Sequence, residues 1–324
     1  MNKYAFGTAA ILLSANLLAD SFQNDIAYSY QSISPESSYY PERKRHQLSY
    51  TRYLQPINSS TFPYDLAARM QRTGNLNGSL GRETEDSEYL GSDVKMGGST
   101  YVFNQNLKIS SALKRRTDKE FRSIGPGSDS TVHKNIGGTL NSLSLQLEYF
   151  FAQNTSFDFG YSNTLRKHSY QWADLTAGPS PLETRSFYIR TKSASVAIRH
   201  LQSFGHESLL DLKAERGRFQ QNAQIGSPEM IVVVNEVSAT FYPKQHFSLG
   251  GAIKKSGDLS RYSLQLQYYL SHSFSLSALY SRLRRGDESH DDQLAYEAML
   301  NKEMSSPAIG AISRLLGLDA AYRF

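Results

Sequence analysis

Residues 142–151 read SLSLQLEYFF, and residues 157–162 read FDFGYS. In the first stretch Leu143, Leu145, Leu147, Tyr149 and Phe151 alternate with Ser142, Ser144, Gln146 and Glu148. In the second, Phe157, Phe159 and Tyr161 alternate with Asp158, Gly160 and Ser162. A period of two places every large side chain on one face of an extended chain and every small or polar one on the other. Such a strand divides two unlike environments. The 152–154 link is short enough to fold the two runs into an antiparallel hairpin.

The same pattern recurs along the chain. Tyr262, Leu264, Leu266, Tyr268 and Leu270 alternate with Ser263, Gln265 and Gln267, and Phe274, Leu276, Ala278 and Tyr280 with Ser275 and Ser277. Weaker versions, among them Tyr64-Leu66-Ala68-Met70, fill the gaps. The pattern predicts strands over 24–32, 44–54, 62–72, 91–102, 106–116, 139–151 and 155–167. It predicts seven more over 185–201, 207–219, 230–242, 246–254, 259–270, 273–283 and 308–324.

The links between them alternate in length. Those at 33–43, 73–90, 117–138 and 168–184 are long, whereas those at 55–61, 103–105, 152–154 and 202–206 are shorter; only 255–258 breaks the rhythm. A soluble sandwich also has alternating strands, but nothing lengthens every second loop of it. Transmembrane barrels join their strands by short turns at one end and longer loops at the other. The expected fold is therefore all-β, a transmembrane antiparallel up-and-down β-barrel of fourteen strands, with both termini on the short-turn side. Residues 291–304 read either as a strand or as a helix capped by Asp291 or Asp292, and are assigned to the last long loop. A hidden hairpin partner near 304–313 would raise the count to sixteen.

The two ends of the chain agree with this. Met1-Asn2-Lys3 is basic, 4–18 is almost wholly apolar, and Ala19 precedes Asp20, which is the plan of a signal peptide over 1–19 with the barrel over 20–324. The apolar stretch is short of the roughly 20 residues a helical span needs. The chain ends Leu316-Gly317-Leu318-Asp319-Ala320-Ala321-Tyr322-Arg323-Phe324, alternating back from a terminal phenylalanine.

Composition narrows the classes further. There are 21 tyrosines and 16 phenylalanines against one tryptophan, and no cysteine. Aromatics suit strands and the girdles of membrane barrels, and the missing cysteine excludes a disulfide scaffold and thiolate metal sites. The formal charge is +5, but lysines and arginines are dispersed and no nucleic-acid motif accompanies them, so no nucleic-acid partner is expected.

In its terminal strand the sequence resembles the outer-membrane β-barrel proteins, and in size and loop rhythm the smaller general bacterial porins, over essentially all of 20–324. The resemblance implies location in the Gram-negative outer membrane. It also implies insertion by the barrel-assembly machinery, which reads a last strand ending in Phe324. Contact with membrane lipid and lipopolysaccharide follows, as does passive diffusion of small polar or charged solutes through a water-filled channel. It implies no cofactor and no metal, and it leaves the oligomeric state open.

If the large apolar residues face lipid, their neighbours face the lumen. That parity nominates Arg69, Lys95, Lys108, Lys114, Glu148, Asp158, Arg166, Arg199, Asp211, Lys213, Glu215 and Glu236 as pore-lining residues. Lys108, Lys114, Arg166 and Arg199 would form an anion-attracting wall. Charges of both signs serve either of two ends. They can set a transverse field that selects solutes, or they can pair across neighbouring strands and stiffen the wall. The 117–138 loop, with its Gly125-Pro126-Gly127 tip, is the best candidate to fold back into the mouth.

Two alternatives remain beside the channel. The cluster Asp287-Glu288-Ser289-His290-Asp291-Asp292 would sit at the external rim, where a barrel hydrolase places carboxylates and a histidine to activate water. No matched acidic pair faces it, and no nucleophile elbow, phosphate loop or zinc motif is present. The reading is therefore not an enzyme. A structural or adhesive barrel acting through its loops would differ from a channel in conducting poorly.

Overall fold

The computed structural model describes residues 21–35, 42–58, 63–85, 88–118, 123–124, 131–174, 183–205, 208–223, 229–257, 259–271, 273–285 and 313–324. The segments expected to be a signal peptide (1–19), the rim cluster (287–292) and the 291–304 helix or strand lie outside them, as does the tip of the 117–138 loop.

Alternating sequence gives strand nearly everywhere. In chain order the elements are β1 (Ser21–Pro35), β2 (Arg43–Asn58), α1 (Tyr64–Met70), β3 (Asn75–Glu85), β4 (Glu88–Val102) and β5 (Leu107–Asp118). The two-residue β6 (Ser123–Ile124) follows, then β7 (Thr131–Ala152), β8 (Thr155–Asp174), β9 (Glu183–Phe204) and β10 (Ser208–Ala223). The last are β11 (Met230–Lys244), β12 (Phe247–Ser256), β13 (Leu259–Tyr269), β14 (Phe274–Arg285) and β15 (Ser313–Arg323). Each long strand pairs antiparallel with its sequence neighbours, β1 pairs with β15, and β5 pairs with β7 past β6, so fourteen strands close into a ring. Closure removes the free edges that an open sheet would expose. No helix among the described residues is long and apolar enough to cross a membrane.

The outside of the ring is apolar in its middle. Leu113 is 63% exposed, Val237 62% and Leu264 54%, while Glu148, Asp158 and Asp211 on the opposite face are buried. A soluble protein does not leave such a band in water. The inversion, apolar outward and charged inward, is that of a barrel surrounded by lipid.

One expected strand is not a strand. Residues 62–72 were expected in the wall, yet Tyr64–Met70 is the helix α1. The alternation of Tyr64, Leu66, Ala68 and Met70 is real, but the residues between include Ala67 and Arg69, which favour helix as strongly. Leu66 is 2% and Ala67 0% exposed, and two adjacent buried side chains suit a helix face, not a strand dividing two media. Arg69 in the last turn also complements the helix dipole.

The wall strand that replaces it is β3, inside the expected long loop 73–90. Its outward positions are Leu76, Gly78, Leu80 and Arg82, too thin an apolar signal to stand out, and its hairpin to β4 leaves only 86–87 as the link. The total of fourteen survives because one wrong strand and one missed strand cancel.

Candidate functional site

The described interior divides into three levels. At the end bearing the termini, α1 crosses the lumen. Ala67 packs on Phe22 of β1 and Ile57 of β2, while its neighbour Leu66 packs on Leu201 of β9 and Tyr242 of β11. Around the ring β1 and β9 are seven strands apart in either direction, so one helix touches diametrically opposite walls.

A polar latch ties the helix to β7 and β8, next to its contact with β9. Arg69 donates from Nε to Glu148 Oε1 at 2.9 Å and from Nη2 to Ser156 Oγ at 2.9 Å, and Ser156 donates to the same carboxylate at 3.0 Å. The guanidinium groups of Arg69 and Arg72 lie 5.0 and 4.7 Å from the centre of the Phe150 ring. Arg72 also donates to Asn106 Oδ1 at 2.7 Å in the β4–β5 turn. A buried cation such as Arg69, with this many partners, is held in one geometry.

Above α1 lies a polar cavity of about 520 Å³. Ser144, Ser162, Ser193, Ser195 and Gly160 give β7–β9 a wall of small residues, and Lys95, Lys108, Asp158, Lys213 and Glu215 bring charge to it. Small side chains are what leave the space open.

At the loop end the inner face turns apolar. Ile33, Val232, Val234, Leu283 and Leu315 pack into one buried cluster, with Phe219, Leu259 and Leu279 against it. The polar cavity thus sits between a helix on one side and a greasy stretch of wall on the other.

The twelve residues nominated from parity fall as follows. Arg69 reaches the interior, but from α1 and not from the wall, which corrects its assigned place. It meets Glu148, whose other oxygen lies 4.0 Å from Lys108. Arg199 donates from Nε to both oxygens of Asp211, at 2.8 and 3.0 Å. Lys213 pairs with Glu215 at 2.6 Å, and Glu236 with Lys254 at 3.6 Å. Lys95 and Lys114 are register partners on β4 and β5. Arg166 lies further toward the loop end of β8, opposite Leu140, and Asp158 is in the cavity wall. So two of the four residues proposed as an anion-attracting wall, Lys108 and Arg199, lie beside carboxylates.

Two ion pairs escaped the sequence reading altogether. Arg45 of β2 reaches over β3 to Asp93 of β4 at 2.9 Å, and Arg116 of β5 reaches over β4 to Glu83 of β3 at 2.8 Å. Each passes a glycine on the strand between. A Cβ on Gly81 would lie 2.7 Å from Asp93 Oδ2, and one on Gly91 3.3 Å from an Arg116 nitrogen. The glycines were the available signal, but with β3 unrecognised they had no register to belong to. Among the described residues no group of three or more His, Asp or Glu side chains is arranged to hold a metal ion.

The geometry defines a closed membrane-type barrel with a helix across its lumen. No protein-family model and no curated protein sequence matches the chain. Solved structures do. The Acinetobacter baumannii outer membrane protein Omp33 is 11% identical, with 94% of this chain and 99% of that one covered and a TM-score of 0.54. The Pseudomonas putida toluene transporter TodX is 9% identical over 97% and 93%, TM-score 0.53. The Ralstonia pickettii toluene transporter TbuX is 8% identical over 94% and 90%, TM-score 0.55. The likeness is one of fold: this chain has the architecture of outer-membrane barrels.

Proposed function

We propose that the chain is a channel of the Gram-negative outer membrane for small solutes, closed at its periplasmic end by α1. The observation that carries this is the helix bridging opposite walls beneath a polar cavity of about 520 Å³. A barrel meant only as a scaffold has no use for a polar chamber lined with serines. A wide general porin would not carry a helix across its lumen. Passage then requires α1 to shift, or a solute small enough to pass beside it.

The fold of the outer-membrane neighbours supports the location, and two of them are described as toluene transporters. The signal peptide over 1–19 and recognition of the terminal strand by the assembly machinery complete the proposal. The serines and charges of the chamber favour small polar solutes. One observation favours a second reading: the apolar inner cluster around Val232 and Leu315 suits a small apolar solute.

Liposomes carrying residues 20–324 separate these readings. Swelling in small sugars or amino acids would support the polar channel, and uptake of a small aromatic hydrocarbon without swelling the apolar one. Folded barrels that pass neither would refute the channel and return attention to the loops.

A further inference from the structure

The outward face holds a second pattern that the channel does not use. Every Asp and Glu of the described strands whose side chain is described, from Asp25 to Asp319, lies on the inward-facing alternation. Their partners there include Arg323, Arg45, Arg116, Arg69, Arg199 and Lys254. Among the described strand residues the charges of the outward face are basic, and apart from residues such as Arg52 they lie toward the loop end. On β10 the outward series runs Leu210, Leu212, Ala214 and then Arg216 and Arg218. On β12 it runs Leu249, Gly251, Ile253 and then Lys255. On β14 it runs Leu276, Ala278, Tyr280 and then Arg282 and Arg284. On β15 it passes from Leu318 and Leu316 to Arg314.

Register joins these positions into one strip. Arg216 pairs with Asn235, Asn235 with Lys255, Lys255 with Ser260 and Ser260 with Arg284, a polar row across five consecutive strands. Arg282, next outward on β14, faces Arg314 on β15. With strands about 4.8 Å apart, the row is about 19 Å wide. Among the described residues the carboxylates near this outward rim are Glu229, which meets Gln220, and Glu42, which meets Ser32 and lies 3.3 Å from Lys44. Both stand just beyond strand ends, and neither is on β12–β15.

Like charges placed opposite one another on a sheet repel, and a strip of one sign at the upper limit of an apolar band sits where lipid headgroups begin. Guanidinium groups bind phosphate in two-pronged fashion, and five of the six cations are arginines. We propose that the outward face of β10–β15 at the loop end docks the phosphates of lipopolysaccharide in the surrounding leaflet. The inference rests on the outer-membrane part of the proposed function and is independent of whether the lumen conducts.

The test is native mass spectrometry of residues 20–324 in micelles, titrated with lipopolysaccharide, with its dephosphorylated form and with phosphatidylglycerol. A triple variant, Arg216→Gln with Lys255→Gln and Arg284→Gln, is run beside it. Heat-modifiable migration on gels, and insertion into bilayers, report the barrel separately. The proposal expects adducts with the phosphorylated glycolipid that fall at least tenfold on dephosphorylation and in the triple variant, with the barrel intact. Equal binding of the dephosphorylated form, equal binding of phosphatidylglycerol, or full binding by the folded triple variant would overturn it. A chain that fails to insert into bilayers would instead overturn the membrane reading beneath it.

Discussion

Tyr64–Met70 and the first half of β14 carry nearly the same apolar alternation, Tyr64-Leu66-Ala68-Met70 against Phe274-Leu276-Ala278-Tyr280, yet one is a helix inside the barrel and the other a wall strand. The difference lies in the residues between. Ser275 and Ser277 have little helix preference and lie on the inward face, whereas Ala67 and Arg69 favour helix and complete a second buried stripe. In β14 the large residues stay outward, Leu276 44% and Tyr280 42% exposed, whereas in α1 Leu66, Ala67 and Arg69 are all buried. Alternation therefore identifies a wall strand only when its large residues have an outside to face. The environment follows from that choice. β14 gives one face to lipid, while α1 is held between opposite parts of the barrel wall.

The same substitution in the two segments should separate them most sharply. Ser277 is register-paired on both sides, with Gln267 and Asp319, so Ser277→Pro removes a ladder hydrogen bond from an interior strand. Loss of the heat-modifiable barrel is expected. Ala67→Pro breaks α1, at a cost of about 3 kcal/mol to the helix, and should leave the barrel folded. A folded Ser277→Pro barrel, or an unfolded Ala67→Pro one, would reverse the assignment of wall and plug.

Gly81→Val comes next. It drives the Asp93 carboxylate from its place beside Arg45 and should cost about 3 kcal/mol, measured by denaturant unfolding in lipid. An unchanged midpoint would show that the pair spanning β3 contributes little. Lys213→Gln has the smallest expected effect. Its pair with Glu215 joins two positions of one strand, each about a third exposed, and should be worth less than about 1 kcal/mol. A larger loss would mean that the wet inner wall behaves like a buried one.

These contrasts also explain what the sequence could disclose. β7, β8, β13 and β14 were legible because large outward residues alternate with serine, glutamine and carboxylates and end at tight turns. β3 was not, because glycine and asparagine sit where a strong strand would have valine or tyrosine. Parity found the inward charges one strand at a time, but a partner two strands away, such as Arg45 for Asp93, needs the register of the strand between. The apolar inner patch was hidden because β11 is apolar on both faces near its start, from Ile231 to Val234, and alternation has nothing to say there. The outward cations were visible as letters, but only closure of the ring puts them side by side.

The central claim is that α1 closes the lumen through its latch to the wall. Single-channel recording of residues 20–324 in planar bilayers, wild type beside Arg69→Ala, tests it most directly. The account predicts small or infrequent steps in the wild type and a several-fold rise in conductance or open time when Arg69 no longer holds Glu148 and Ser156. Wide ohmic steps in the wild type that Arg69→Ala leaves unchanged would contradict it.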